Sequence, residues 1–208
     1  MIKTSKKIAG GFYIAIAVGA LISGHKQARD YKTQLAMKST PTTRTEVAVV
    51  IKEELKPNFK DSLAMRESSL KFNIRGGANK HYLGKYQLGK LAFIDIFNYK
   101  GRSDGSEQYD WARENVELGR WSQEAQDRYF DDWVQVLKKY LAHEINSIDN
   151  YKEINGIEIT ESGLIAAAHL CGHGAVKDFI NSDGRIIAAD GNSVKLTEYL
   201  EKFAGYEC

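Results

Sequence analysis

The pattern of apolar and polar residues divides the chain into an apolar N-terminal run, a polar stretch and a longer region with helical periodicity. The apolar run extends from Ile8 to Gly24 without a charged residue, and Lys3, Lys6 and Lys7 precede it. A run of about 17 residues lies at the lower edge of the length that spans a bilayer. The pattern therefore predicts a membrane-targeting segment ahead of the folded region.

Residues 1–24 are predicted to form an uncleaved signal anchor. The best candidate cleavage site, Ile22-Ser23-Gly24, lacks the small-residue A-x-A pattern of signal peptides. A cleaved signal peptide and a buried core helix stay open as alternatives. For an anchor, the lysine cluster stays inside and the bulk of the chain is exported. Residues 25–45 are polar and are predicted as a linker, and residues 46–208 are predicted as one domain.

Apolar positions at helical spacing predict several helices and at most a small sheet in the folded region. The predicted helices run from about Val47 to Leu55, from Asn58 or Asp61 through Glu67, from Leu91 to Phe97, from Ser122 to about Ile145, from Thr160 to Cys171, and from about Val194 to Phe203. The segment from Phe72 to Tyr86 reads as a loop, and Ile157 and Ile159 as a short extended piece. This combination indicates a mainly α or α+β domain.

Composition narrows the function classes only slightly. The chain has 208 residues, with 29 Lys and Arg against 27 Asp and Glu, so its net charge is +2. This nearly balanced charge gives no reason to expect nucleic acid as a partner.

The two cysteines, Cys171 and Cys208, permit one disulfide in an exported protein, with two free thiols as the alternative. Cys171 also lies between His169 and His173, a spacing that suggests zinc. Alternate residues of a helix point in different directions, so these three side chains would converge poorly on an ion. We therefore expect neither a metal nor a cofactor.

Glu67 is the candidate catalytic acid. It lies four residues after Leu63, on the same face of a predicted helix, and the regular pattern stops after Ser68-Ser69. Cleavage of a glycosidic bond needs a proton donor at the leaving oxygen, and a carboxylic acid beside a cleft is typical of that role. The alternative is a solvated surface glutamate.

Three blocks of sequence, taken in order, resemble the lysozyme-like superfamily, which includes the soluble lytic transglycosylases, the goose-type lysozymes and phage-borne lysozyme-like domains. The blocks are Glu67-Ser68 followed by Tyr-Leu-Gly-Lys-Tyr-Gln-Leu-Gly at 82–89, Ile-Thr-Glu-Ser-Gly-Leu-Ile-Ala-Ala-Ala-His-Leu-Cys-Gly-His-Gly at 159–174, and the tail at 190–206. The resemblance covers roughly residues 60–208, with a variable middle from about 99 to 120. It implies a lysozyme-like α+β domain with an active-site cleft.

The resemblance also implies roles for individual residues. Glu67 would be the general acid, and Ser68 would either orient it or cap backbone groups. Tyr86 and Gln87 would form the floor of the sugar site, where Gln87 would hydrogen-bond an N-acetyl group or a hydroxyl. A core aromatic is the alternative for Tyr86, and a loop-stabilising side chain is the alternative for Gln87. His169 is expected to line the cleft, with a satisfied core histidine as the alternative.

Hydrolysing glycosidases commonly use a pair of carboxylates, and the second of the pair has no clear candidate in this sequence. The chain has no Asp or Glu between Ser68 and Ile94, and Asp95 is the first to follow. Asp95 is a possible second carboxylate, although it falls within an apolar helix pattern, and Asp190 is a more remote candidate. A single acid fits a transglycosylase, in which the N-acetyl group and 6-hydroxyl of the substrate replace the protein nucleophile and water. It also fits a single-acid lysozyme.

The expected function is cleavage of the β-1,4 bond between N-acetylmuramic acid and N-acetylglucosamine in peptidoglycan. The expected place is the bacterial inner membrane, with a single pass through residues 8–24 and a periplasmic catalytic domain, or export if the segment is cleaved. Expected partners are the glycan strands and an envelope-spanning secretion machine or a phage lysis system. A non-catalytic peptidoglycan-binding module and a structural envelope protein are the alternatives.

Overall fold

The computed structural model describes the chain from Asn58 to Cys208. The predicted anchor at residues 1–24, the predicted linker at 25–45 and the predicted helix from Val47 to Leu55 lie outside the described residues. From Asn58 onward, no helix combines the length and the apolar character needed to cross a bilayer.

The described residues are mainly helical, which confirms the predicted class. In chain order the helices are α1 (Phe59–Ser68), α2 (Lys90–Tyr99), α3 (Gly105–Asn115), α4 (Gln123–Tyr140), α5 (Ala142–Asn146), α6 (Glu161–Cys171), α7 (His173–Asn181) and α8 (Leu196–Lys202), with a 3₁₀ turn at Ile148–Asn150. Two antiparallel hairpins complete the fold, β1 (Arg75–Gly76) with β2 (Tyr82–Leu83) and β3 (Glu153–Ile154) with β4 (Ile157–Glu158). In the first hairpin Gly76 pairs with Tyr82.

Polar side chains cap three of the helices, at or near the positions where the sequence predicts these helices to begin. Asn58, Ser122 and Thr160 each accept a hydrogen bond from the backbone N–H three residues later, which satisfies one of the free donors of the first turn. The helix that follows Ser122 ends at Tyr140 instead of the predicted Ile145, and the five-residue α5 comes after it.

Two helices were not predicted from the sequence. Helix α3 falls in the variable middle and buries a narrow face centred on Tyr109 and Ala112, so its apolar positions are too few to mark a helical period. Helix α7 starts directly after Gly172, the C-cap residue of α6. It buries Val176 and Phe179, and its other residues are half-buried or exposed.

Helix α6 lies within the hydrophobic core, because every residue from Ser162 to Ala168 is buried. The small residues of α6 let α8 approach closely. A Cβ atom added at Gly163 would lie 2.8 Å from the backbone oxygen of Leu200. The contact fixes the position of α8, which carries Tyr199.

Replacing Gly163 with alanine is expected to lower the free energy of unfolding by about 1–3 kcal/mol, because the new methyl group would force α6 and α8 apart. Urea unfolding followed by circular dichroism measures this change. Gly174→Ala on α7 is the matched control, since a Cβ there meets open space. Equal stability of the two variants would contradict the predicted close approach.

Candidate active site

A cleft of about 570 Å³ lies where the end of α1, the β1–β2 hairpin, the end of α6 and the loop before α8 meet. Its lining residues are Glu67, Ile74, Gly76, Gly77, Ala78, Asn79, His81, Tyr82, Gln87, His169, Leu170, Asp190, Gly191 and Asn192. The fold therefore brings together three of the predicted site residues, Glu67, Gln87 and His169, and the more remote candidate Asp190. A second concavity, of about 620 Å³, lies beside the β3–β4 hairpin and has none of the predicted site residues in its lining.

Glu67 occupies the last turn of α1 and is half-buried in the cleft wall. The hydroxyl of Tyr199 on α8 donates a hydrogen bond to Glu67 Oε1 at 2.6 Å. Burial raises the pKa of Tyr199, and the neighbouring Glu67 carboxylate raises it further, so the hydroxyl keeps its proton. Among the described residues Tyr199 is the hydrogen-bond partner of this carboxylate, which leaves Oε2 available to a ligand. Tyr199 was not among the residues predicted to form the site, although it lies within the third block of the resemblance.

His169 lies at the base of the cleft, at the end of α6, as expected. The indole N–H of Trp133 donates to His169 Nδ1 at 3.1 Å, so Nδ1 carries no proton and the ring proton is assigned to Nε2. Burial lowers the pKa of His169. The Glu67 carboxylate and a backbone hydrogen bond to Tyr86 raise it by less. The imidazole is therefore neutral at neutral pH.

This neutral histidine predicts a loss of stability in mild acid. Because the folded-state pKa is below the ordinary value of 6.5, the unfolded chain takes up a proton first as the pH falls. We expect full stability above about pH 6.5 and a contribution from His169 of at most about 1.4 kcal/mol lost per pH unit below it. Urea unfolding at about pH 7.5 and about pH 5.5 tests this. His169→Gln should show a smaller pH dependence, and an unchanged one would count against the neutral assignment.

Gln87 lies in the cleft, as the resemblance implies. Its backbone is left-handed, with φ of 50°, and its side-chain N–H donates to the carbonyl of Gly84 at 2.7 Å. The amide lies across the hairpin, because a Cβ added at Gly76 would come within 1.9 Å of Gln87 Oε1. A glycine at position 76 is thus needed for this arrangement.

Two of the residues expected in the sugar site have structural roles instead. Tyr86 is fully buried, stacks on Phe130 with ring centres 4.0 Å apart, and donates to Asp127 at 2.7 Å. It follows that its ring does not form the floor of the cleft. Ser68 is also buried, and its hydroxyl donates to the carbonyl of Lys85 at 2.7 Å. Ser68 therefore caps backbone groups, which is the alternative that the sequence left open.

Two of the possibilities that the sequence left open, a second carboxylate at Asp95 and a disulfide, are not found among the described residues. Asp95 lies on α2, near Tyr140 of α4, and is not part of the cleft lining. Cys171 and Cys208 are free thiols. Cys208 Sγ lies 4.0 Å from Glu161 at the first turn of α6, whereas Cys171 ends that helix about 15 Å away, beyond disulfide reach.

Asp190 is the other carboxylate that lines the cleft. Its Oδ1 accepts hydrogen bonds from the backbone N–H groups of Asn192, at 2.9 Å, and Val194, at 2.8 Å. Asp190 Oδ2 also accepts from the Asn192 side chain at 3.2 Å. These bonds hold the loop before α8 in shape. Within residues 58–208 no three His, Cys, Asp or Glu side chains are grouped so as to hold a metal ion.

No protein-family model, curated protein or solved structure matches this chain. The cleft geometry and the residues that form it therefore carry the functional argument.

Proposed function

We propose that this protein cleaves the glycan strands of bacterial peptidoglycan at the β-1,4 bond between N-acetylmuramic acid and N-acetylglucosamine, with Glu67 as the general acid. The observation that carries the proposal is the hydrogen bond from Tyr199 to Glu67 at the wall of the cleft. It fixes one oxygen of the acid and leaves the other to the ligand. A volume of about 570 Å³ falls within the range of small-ligand sites.

In the proposed reaction Glu67 Oε2 gives its proton to the glycosidic oxygen as the bond to the anomeric carbon breaks. The Tyr199 hydroxyl stabilises the carboxylate that forms, because it already donates to Oε1. Glu67 then takes a proton from the nucleophile that attacks the anomeric carbon, which regenerates the acid.

The nucleophile decides between two products. Asp190 is held by hydrogen bonds within its own loop, so we favour attack by the 6-hydroxyl of the substrate, which makes a lytic transglycosylase and a 1,6-anhydro product. A muramidase is the second candidate, because Asp190 does line the cleft and could orient a water molecule. A protein that binds the glycan without cutting it is the alternative outside the enzymes.

The apolar run from Ile8 to Gly24 supports a proposed place at the inner membrane with the cleft on the periplasmic side. From there the protein would open the wall for an envelope-spanning machine or take part in phage lysis.

The test is digestion of purified peptidoglycan by the full chain, with the products read by mass spectrometry. Muropeptides that end in 1,6-anhydro sugars support a lytic transglycosylase, and reducing ends support a muramidase, with Asp190 as the next residue to replace. Glu67→Gln is the control for a contaminating activity. Binding of the glycan without cleavage by the unaltered protein would overturn the enzyme and leave the binding module.

A further inference from the structure

An exposed aromatic ring stands on the wall of the cleft. Tyr82 on β2 lines the cleft and is 51% exposed. The three tryptophans do not offer the same surface, since Trp121 and Trp133 are buried and Trp111, although exposed, is not part of the cleft lining. Tyr82 is thus the aromatic side chain that a ligand in the cleft would meet.

The Tyr82 ring lies between two glycines, whose backbone passes close to its opposite edges. A Cβ at Gly77 would lie 2.7 Å from Cδ2 of the ring, and a Cβ at Gly89 would lie 3.2 Å from Cε1. Gly77 also has φ of 76°, which by itself favours glycine, but Gly89 has an ordinary φ of −87°. At Gly89 the ring is therefore the neighbour that a side chain would crowd.

The strand that carries this ring is anchored as well. The hydroxyl of Tyr109 on α3 donates to the backbone carbonyl of His81 at 2.8 Å, directly before Tyr82. The β1–β2 pairing opposite Gly76 fixes the register of the strand. A ring that lies between two backbone segments, on a strand that is itself anchored, has less conformational freedom to lose when a ligand packs on it.

We infer that Tyr82 is a stacking platform for a sugar ring of the glycan strand, an inference that rests on the proposed function of the cleft. One face of a pyranose ring presents C–H groups and is apolar, so it packs on the face of an aromatic ring, while its hydroxyl and N-acetyl groups point outward. The polar loop at Asp190 and Asn192 lines the same cleft and offers partners for those groups. Tyr82 would determine how tightly the strand is held without taking part in proton transfer.

The test measures binding of the N-acetylglucosamine hexamer to the full chain by isothermal titration calorimetry, with Glu67→Gln in every variant so that the hexamer is not consumed. Tyr82→Ala is expected to weaken binding about tenfold, and Tyr82→Phe is expected to bind nearly as the parent does, because it keeps the ring. Gly89→Ala should weaken binding to an intermediate extent by displacing the ring. Tyr99→Ala on α2 is the matched control, since Tyr99 is 45% exposed and does not line the cleft.

An unchanged affinity of Tyr82→Ala, an equal loss in Tyr82→Phe, or no hexamer binding by the parent would overturn the inference. Its failure can be told from failure of the proposed function. If peptidoglycan is cut in a Glu67-dependent way and Tyr82→Ala binds normally, the platform alone is wrong. If peptidoglycan is not cut but hexamer binding depends on the Tyr82 ring, the platform stands and the cleavage reaction is wrong.

Discussion

Glu67→Gln is expected to slow strand cleavage by about 10²–10⁴-fold, the contribution typical of a positioned general acid. Glutamine keeps the size of the side chain and an oxygen that accepts from Tyr199, so the hydrogen bond at Oε1 is retained. It has no acidic proton to give to the leaving oxygen. Initial rates of product release from purified peptidoglycan measure the loss, and urea unfolding should show a change in stability below about 1 kcal/mol. Unaltered cleavage by Glu67→Gln would remove Glu67 from the mechanism.

Tyr199→Phe tests the contribution of the Tyr199 hydroxyl separately from that of the Glu67 carboxyl group. Glu67 keeps its carboxyl group in this variant, but the hydrogen bond at Oε1 is lost. We expect a rate about 10- to 100-fold below that of the unaltered protein, the equivalent of one hydrogen bond to a charged group. Tyr199 acts through Glu67, so changing both residues should cost hardly more than Glu67→Gln alone. Additive losses would instead place Tyr199 in direct contact with the substrate.

Much of the helical structure could be predicted because its signals are local. Helices α1, α4 and α6 begin at Asn58, Ser122 and Thr160, whose side chains cap the first turn, and an apolar pattern follows each of them. Helices α3 and α7 could not be predicted in the same way. α3 buries too few apolar positions to show a period, and α7 starts so soon after a glycine that the sequence reads as a turn.

Site residues could be predicted where they belong to a short sequence motif. They could not be predicted where their position depends on the packing of distant segments. Gln87 lines the cleft, whereas Tyr86 stacks on Phe130 and hydrogen-bonds Asp127, and the sequence does not show which side of the turn each of these adjacent side chains faces. Tyr199 lies 132 residues from Glu67, so only the packing of α8 on α6 reveals the pair. The place of Tyr82 on the cleft wall depends on how the backbone at Gly77 and Gly89 passes its ring. The sequence alone does not show this arrangement.

The turn that carries Gln87 depends on a buried lysine. Lys85 is 4% exposed, and its ammonium group lies 3.1 Å from Asp127 on α4 and 3.4 Å from Asp61 on α1. Asp127 also accepts the hydrogen bond of Tyr86, whose pKa is raised by burial first and by Asp127 second. One carboxylate thus supports both residues that precede Gln87.

Asp127→Ala is therefore expected to lower the free energy of unfolding by about 2–3 kcal/mol, measured by urea unfolding. Breaking a fully buried ion pair costs more, but the Asp127 side chain is 31% exposed and water screens part of the interaction. Asp131→Ala, one turn further along α4, is the matched control. It removes the exposed Lys60–Asp131 pair and should cost less than about 1 kcal/mol.

Lys85→Met tests whether the loss of stability expected for Asp127→Ala comes from the buried ammonium group of Lys85. Asp127→Ala would leave the Lys85 ammonium group buried with only the more distant Asp61 carboxylate as a partner. If this explains the loss of stability, then removing the ammonium group should lower the free energy of unfolding less than removing Asp127 does. We expect Lys85→Met to be at least about 1 kcal/mol more stable than Asp127→Ala. The reverse order would mean that Asp127 acts mainly through Tyr86. In that case Tyr86→Phe should reproduce the loss of stability, and peptidoglycan cleavage should fall in both variants because Gln87 is no longer held in the cleft.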